Sequence, residues 1–156
     1  MNLQLIKLTC ASCLGVFEAP DLLSGAYGEF LLRSEGTLEV AYLNALEDAA
    51  YGEVYDLIKQ NPRMHGMREH FIADVLRQIY AVVACDPDSA GYSFGIGQFP
   101  RCPFCSAGNV AHWEEIDPPI FIDLPADPVT HTCWDDLSKD QKIAKIDNEL
   151  WAIGYI

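Results

Sequence analysis

The first stretch of the chain, Leu3-Gln4-Leu5-Ile6-Lys7-Leu8, is apolar with polar breaks. It is followed by Cys10-Ala11-Ser12-Cys13 and then Gly15-Val16-Phe17. This predicts a strand, a tight turn and a returning strand that Pro20 and Asp21 end. Glu29 to Arg33 and Thr37 to Tyr42 predict two more strands, joined by a short Gly-containing turn at Ser34-Glu35-Gly36. Leu38, Val40 and Tyr42 alternate with Thr37, Glu39 and Ala41, the period of a half-buried strand.

The period then changes. Asn44 with Glu47 three residues on predicts a helix start of the capping-box kind. Leu46, Ala50, Val54, Leu57 and Ile58 form its apolar stripe, and Pro62 stops it. A second helix is predicted from Met67 to Cys85, with Phe71, Ile72, Val75, Leu76, Ile79, Val82 and Val83 on one broad face; Asp86-Pro87-Asp88 ends it. Tyr92 to Phe99 predicts a Gly-interrupted strand leading into Cys102-Pro103-Phe104-Cys105, and Val110 to Ile116 a returning strand. Residues 118–128 read as loop with a short extended piece at Ile120-Phe121-Ile122. Ser138 with Gln141 is a second capping box, and Ile143, Ile146, Leu150 and Trp151 follow at helical spacing.

A chain of 156 residues, half of them hydrophobic, is the size of one domain and has the means to build a core without metal. Charge narrows the functional classes. Ten Lys and Arg stand against 23 Asp and Glu, a formal net charge of -13. Glu35 to Asp56 and Cys102 to Ser138 both contain acids and no Lys or Arg. Such a surface repels phosphate backbones and anionic lipids, so neither direct nucleic-acid binding nor a membrane surface is expected, and the fitting partner is a basic protein. No run approaches the ~20 apolar residues of a membrane span. Asn2, Gln4 and Lys7 interrupt what would be the apolar region of a signal peptide. The expected location is cytoplasmic, where thiols stay reduced and paired cysteines serve metals better than disulfides.

The two C-x2-C units carry the strongest chemistry. A turn of this spacing aims both sulfurs at one point and offers its N–H groups to the thiolates. Two such turns brought together supply the four soft ligands of a tetrahedral zinc ion. The expected ligands of one structural zinc are therefore Cys10, Cys13, Cys102 and Cys105. Four thiolates and one Zn2+ would make the chain more acidic by two charges. The paired units resemble the knuckles of a zinc ribbon over roughly residues 3–18 and 98–116. A compact ribbon leaves about 15–20 residues between its pairs; here residues 14–101 intervene. The resemblance therefore implies a single α+β domain over 1–156. It would have zinc-ribbon-like β-hairpins, an inserted β-hairpin and two-helix segment at 19–97, and a C-terminal helix at about 138–152.

Other constellations compete less well. Cys102-Pro103-Phe104-Cys105 resembles a glutaredoxin active site, but Gly108 and Asn109 make a poor helix behind it and Cys10–Cys13 would go unexplained. His112-Trp113-Glu114 resembles part of a zinc deaminase, in which H-x-E precedes the cysteine pair; here it follows. Cys85, His131 and Cys133 are candidates for a second metal site, against a core cysteine and a surface histidine. His65 and His70 are expected at solvent-facing positions. Trp113 and Trp151 are expected in the core, and Trp134, beside Asp135 and Asp136, is the candidate exposed anchor. No phosphate-binding loop, dinucleotide motif or G-x-S-x-G is present. The leading expectation is a non-enzymatic acidic interaction protein, an inhibitor or immunity-type protein that covers a basic partner. The alternatives are an enzyme with a pocket in the inserted region, favoured if His112 and Glu114 converge in it, and a thiol oxidoreductase using Cys102 and Cys105.

Overall fold

The structure is a computed structural model, and it describes residues 1–22 and 27–155. It is a mixed α+β fold. In chain order come β1 (Asn2–Cys10), β2 (Val16–Asp21), β3 (Glu29–Ser34), β4 (Val40–Asn44), α1 (Ala49–Gln60), a 3-10 turn (Pro62–Met64) and α2 (Glu69–Ala84). Then follow β5 (Phe94–Gly95), β6 (Val110–Glu115), β7 (Phe121–Asp123), β8 (Asp127–Pro128), α3 (Thr132–Asp135) and α4 (Lys139–Ala152).

The strands form two sheets. In the first, β1 lies between β2 and β6, and its N-terminal end also pairs with β7, all antiparallel. Its alternation places Ile6, Leu8 and Cys10 on one face, where they pack with Phe17, Ala19 and Cys102 as a small core of its own. In the second sheet the order is β5-β3-β4-β8. Leu32 and Leu43 from it meet Val54 and Ile58 of α1, Ile79 and Tyr80 of α2, and Ile146 and Leu150 of α4 in the main core. The cysteine turns therefore belong to one small sheet, while the helices and the second sheet hold a separate and larger core.

Several boundaries differ from the sequence expectation. The β3–β4 connection is longer than three residues. The Ser34 hydroxyl accepts from the Gly36 and Thr37 N–H groups, and pairing resumes only at Val40, leaving Leu38 exposed. The strand then runs through Asn44, whose side chain caps nothing helical and instead accepts from the Leu46 N–H. Asp48 is the true N-cap of α1, accepting from the Tyr51 N–H at 2.8 Å. Leu46 is exposed and lies outside the stripe. Only Phe94 and Gly95 of the Tyr92–Phe99 stretch pair, and Gly97 turns the chain at φ 76°. Pro20 lies within β2 rather than ending it; β2 is an edge strand, where a missing N–H is tolerated. The loop-like stretch contributes β7, and β8 pairs parallel to β4. The second capping box is formed in full, with Gln141 N–H to Ser138 Oγ at 3.2 Å and Ser138 N–H to Gln141 Oε1 at 2.8 Å. His65 and His70 are both exposed.

Candidate metal centre

The first turn joins β1 to β2, and the second precedes β6, the strand on the other side of β1. Pairing of β1 with β6 sets Cys10 opposite Val110, so the sheet itself carries the two turns to the same end. The turns are built alike. Cys10 N–H donates to the Gly15 carbonyl at 2.9 Å, and Cys102 N–H to the Ala107 carbonyl at 2.9 Å. Leu14 N–H donates to the Cys10 carbonyl at 3.0 Å, and Ser106 N–H to the Cys102 carbonyl at 2.8 Å. In each pair the first cysteine is buried and the second exposed.

This brings all four sulfurs within 4.8 Å of one another. Cys10 and Cys105 are 3.6 Å apart, as are Cys13 and Cys102. These separations are far longer than the ~2.05 Å of a disulfide. A tetrahedral ion with Zn–S of ~2.3 Å sets its sulfurs about 3.8 Å apart, so the donor set fits a metal ion of that kind.

The electrostatics point the same way. The Cys13 and Ser12 N–H groups hold the Cys10 thiol down to about 6, against the opposing effect of burial. The Cys13 and Cys105 thiols then face a growing negative charge. Gly15 N–H favours the Cys13 thiolate, but Cys102 and burial oppose it and the net shift is upward. Ala107 N–H likewise favours the Cys105 thiolate, yet Cys10 and burial push it up to about 12. Thiolates this close repel one another, and a divalent cation at their centre removes that repulsion.

Three supporting residues escaped the sequence reading. Phe104 of the second turn packs on Gly15 of the first, where an added Cβ would lie 2.6 Å from its ring. Arg101 donates from one nitrogen to the Ser106 carbonyl at 2.9 Å and from another to the Glu35 carbonyl, tying the second turn to the β3–β4 loop. Arg33 donates to the Pro20 carbonyl, tying β3 to β2. The one available signal was Arg101, the only Lys or Arg between Arg77 and Lys139.

The remaining candidates scatter. His112 and Glu114 lie 3.7 Å apart on the exposed face of β6 rather than converging in a cleft. Among the described residues Cys85, His131 and Cys133 do not gather into a second cluster. Burial pushes the Cys85 thiol up to about 12, so it stays protonated. His131 spends its ring inside the fold, with Nε2 2.8 Å from the Asp48 carboxylate and Nδ1 2.6 Å from the Ala84 carbonyl. The tryptophans are reversed from expectation. Trp134 is 1% exposed, whereas Trp113 and Trp151 are 50% and 61% exposed. Comparison with protein-family models, curated proteins and solved structures gave no match for this chain.

Proposed function

We propose that this chain is a small interaction protein in which one structural zinc ion, held by Cys10, Cys13, Cys102 and Cys105 as in a zinc ribbon, fixes an acidic surface that covers a basic partner, in the manner of an inhibitor or immunity-type protein. The observation that carries the metal reading is the gathering of four thiols from two matched turns. Four cysteines complete a tetrahedron and leave no position for water or substrate, which is the mark of a structural rather than a catalytic zinc. The zinc supplies cross-linking when bound. The chain's own part is to present preformed turns and the N–H groups that stabilise the thiolates.

The interaction reading rests on charge. Glu114 and Glu115 stand exposed on β6, and Asp117, Asp127, Asp135 and Asp136 follow on exposed positions with no Lys or Arg among them. Among the described residues Lys7 at 3.9 Å and the His112 ring at 3.7 Å both approach Glu114. A carboxylate surface of this kind steers a basic partner into contact and loses affinity as salt rises. The test has two measurements. Metal analysis of protein purified without added metal should return one zinc per chain. Affinity capture from native extract should return a basic partner whose retention falls steeply between low and high salt. Metal-free protein with four freely reactive knuckle thiols would reject the first half; a partner held independently of salt would reject the second.

A further inference from the structure

Between the two sheets lies a cleft of about 250 Å3. Phe17 of β2, Val40 of β4 and Ile122 of β7 wall it, with Pro100 and Pro103 from the segment around the second cysteine turn. Leu38, 73% exposed, stands at its mouth. Two guanidiniums, Arg33 and Arg101, line it against one carboxylate, Glu18. It is distinct from the cysteine cluster, and neither the zinc nor the acidic surface accounts for it.

Arg33 gives the cleft its chemistry. The residue is 8% exposed, yet among the described residues its guanidinium makes one hydrogen bond, to the Pro20 carbonyl. The nearest carboxylate, Asp21, is 3.9 Å away and half exposed. Arginine has five N–H donors, so most of them are unspent. No fully enclosed side-chain nitrogen or oxygen lacks a partner among the described residues. The spare donors of Arg33 are therefore the atoms that reach open space. Arg33 lines this cleft and two neighbouring hollows, one of which also holds Asp21 and Glu29; of the three, this cleft combines room for a ligand with a mainly apolar wall. Burial also lowers the pKa of this guanidinium, against the pull of Asp21, as expected of a cation short of counter-charge. Arg101 differs, since its nitrogens already serve the Ser106 and Glu35 carbonyls.

We propose that this cleft binds a free aliphatic carboxylic acid of medium chain length, its carboxylate on Arg33 and its chain against Phe17, Val40 and Ile122. A carboxylate is the planar acceptor that matches the guanidinium fork. An apolar cavity of about 150 Å3 admits a six-carbon ring, so a cleft of about 250 Å3 has room for a chain of roughly eight to ten carbon atoms. Pro20, Pro100 and Pro103 all line it and have no N–H, so it offers few donors to a peptide backbone; an alkyl chain asks for none.

The test is titration of the full, metal-replete chain with butanoate, hexanoate, octanoate and decanoate, followed through backbone amide shifts at about 0.15 M salt, where the long-range repulsion of the acidic surface is screened. Shifts should centre on Phe17, Val40 and Ile122. Affinity should rise about fourfold per added methylene and level off near eight carbons. Octanamide should bind at least about tenfold more weakly, because it lacks the charge that Arg33 reads. Leu38→Asp places a carboxylate at the mouth, on an exposed residue whose loss leaves the fold intact, and should abolish octanoate binding. Arg33→Gln should weaken it about tenfold where amide spectra show a native fold. Absence of shifts with octanoate, equal binding of octanamide, or binding unchanged in Leu38→Asp would each overturn the proposal. So would tighter binding of an apolar tetrapeptide free acid than of octanoate, which would assign the cleft to a polypeptide C-terminus instead.

Discussion

Leu14 and Ser106, far apart in sequence, occupy the same place in two copies of one turn: each has a left-handed backbone, φ 60° and φ 65°, and each donates its N–H to the carbonyl of the first cysteine in its pair. Left-handed backbone costs an ordinary L-residue roughly 1 kcal/mol or more that glycine does not pay. Leu14 is exposed, so its side chain contributes little burial to offset this. Leu14→Gly and Ser106→Gly should therefore each leave the metal-bound fold unchanged or stabilise it by up to about 1 kcal/mol, whereas Leu14→Ile should destabilise it. Chemical denaturation of the metal-loaded variants checks this. A clear loss of stability in Leu14→Gly would mean that the exposed side chain covers the site.

Metal removal should act locally. The first sheet has only a small core, of which Cys10 and Cys102 are themselves part. The helices and second sheet keep a separate and larger one. Chelation, or Cys102→Ser, should therefore raise amide exchange in β1, β2 and β6 and free Arg101 from Ser106, while α2 and the buried face of α4 stay protected. Thiol titration should show four cysteines protected until chelator is added. Equal loss of protection in α2 and β1 would show that the metal holds the whole fold rather than one end of it.

The cysteine turns were legible because their information is local: two spaced thiols, small residues, flanking apolar strands. The helices were legible for the same reason, with α4 announced by Ser138 and Gln141. What escaped depended on distant partners. Asn44 and Glu47 mimic a helix start, but β4 pairs with β3 through Asn44, and sheet pairing overrides the local capping pattern. Trp134 sits among acids that do face water, and only the single turn of α3, which no periodicity could reveal, swings its ring inward. Trp113 lies opposite Leu8 in β6, a strand at the sheet edge with too little cover to bury it. The cleft at Arg33 needed both sheets in place before it existed.

His131 should give the protein a pH-dependent stability. Both ring nitrogens face acceptors, the Ala84 carbonyl and the Asp48 carboxylate, with the Tyr80 hydroxyl also 3.3 Å from Nε2, a setting that favours the doubly protonated ring. Burial lowers its pKa, but Asp48 and the Ala84 carbonyl outweigh that and the net shift is upward. A raised folded-state value means that the unfolded chain releases the proton first. The contribution is complete below the unfolded value of ~6.5 and is lost as pH rises through the folded one. The denaturation midpoint of metal-loaded protein should fall from pH 6 to pH 9 by more than that of His131→Gln. Parallel curves for the two proteins would show that the ring is not charged in the fold.

Trp134 should be the most costly tryptophan to remove. Its ring is fully buried in the main core. Its Nε1 donates to Glu53 Oε1 at 2.6 Å, and the same oxygen accepts from Lys142 Nζ at 2.8 Å. The ammonium lies 5.1 Å from the indole centroid, so α1, α3 and α4 meet on one side chain. Trp134→Ala should cost about 3–5 kcal/mol through lost burial and the cavity left behind. Trp134→Phe keeps most of the volume and should cost about 1.5–3 kcal/mol, the value of a hydrogen bond to a charged acceptor. Trp113→Ala and Trp151→Ala, at half-exposed positions, should each cost less than Trp134→Phe. Acrylamide quenching gives an independent reading: the wild type should show one protected, blue-shifted tryptophan and two accessible ones, and the protected fraction should vanish in Trp134→Phe. Loss of that fraction in Trp113→Ala instead would place the buried indole on β6 and reverse the assignment.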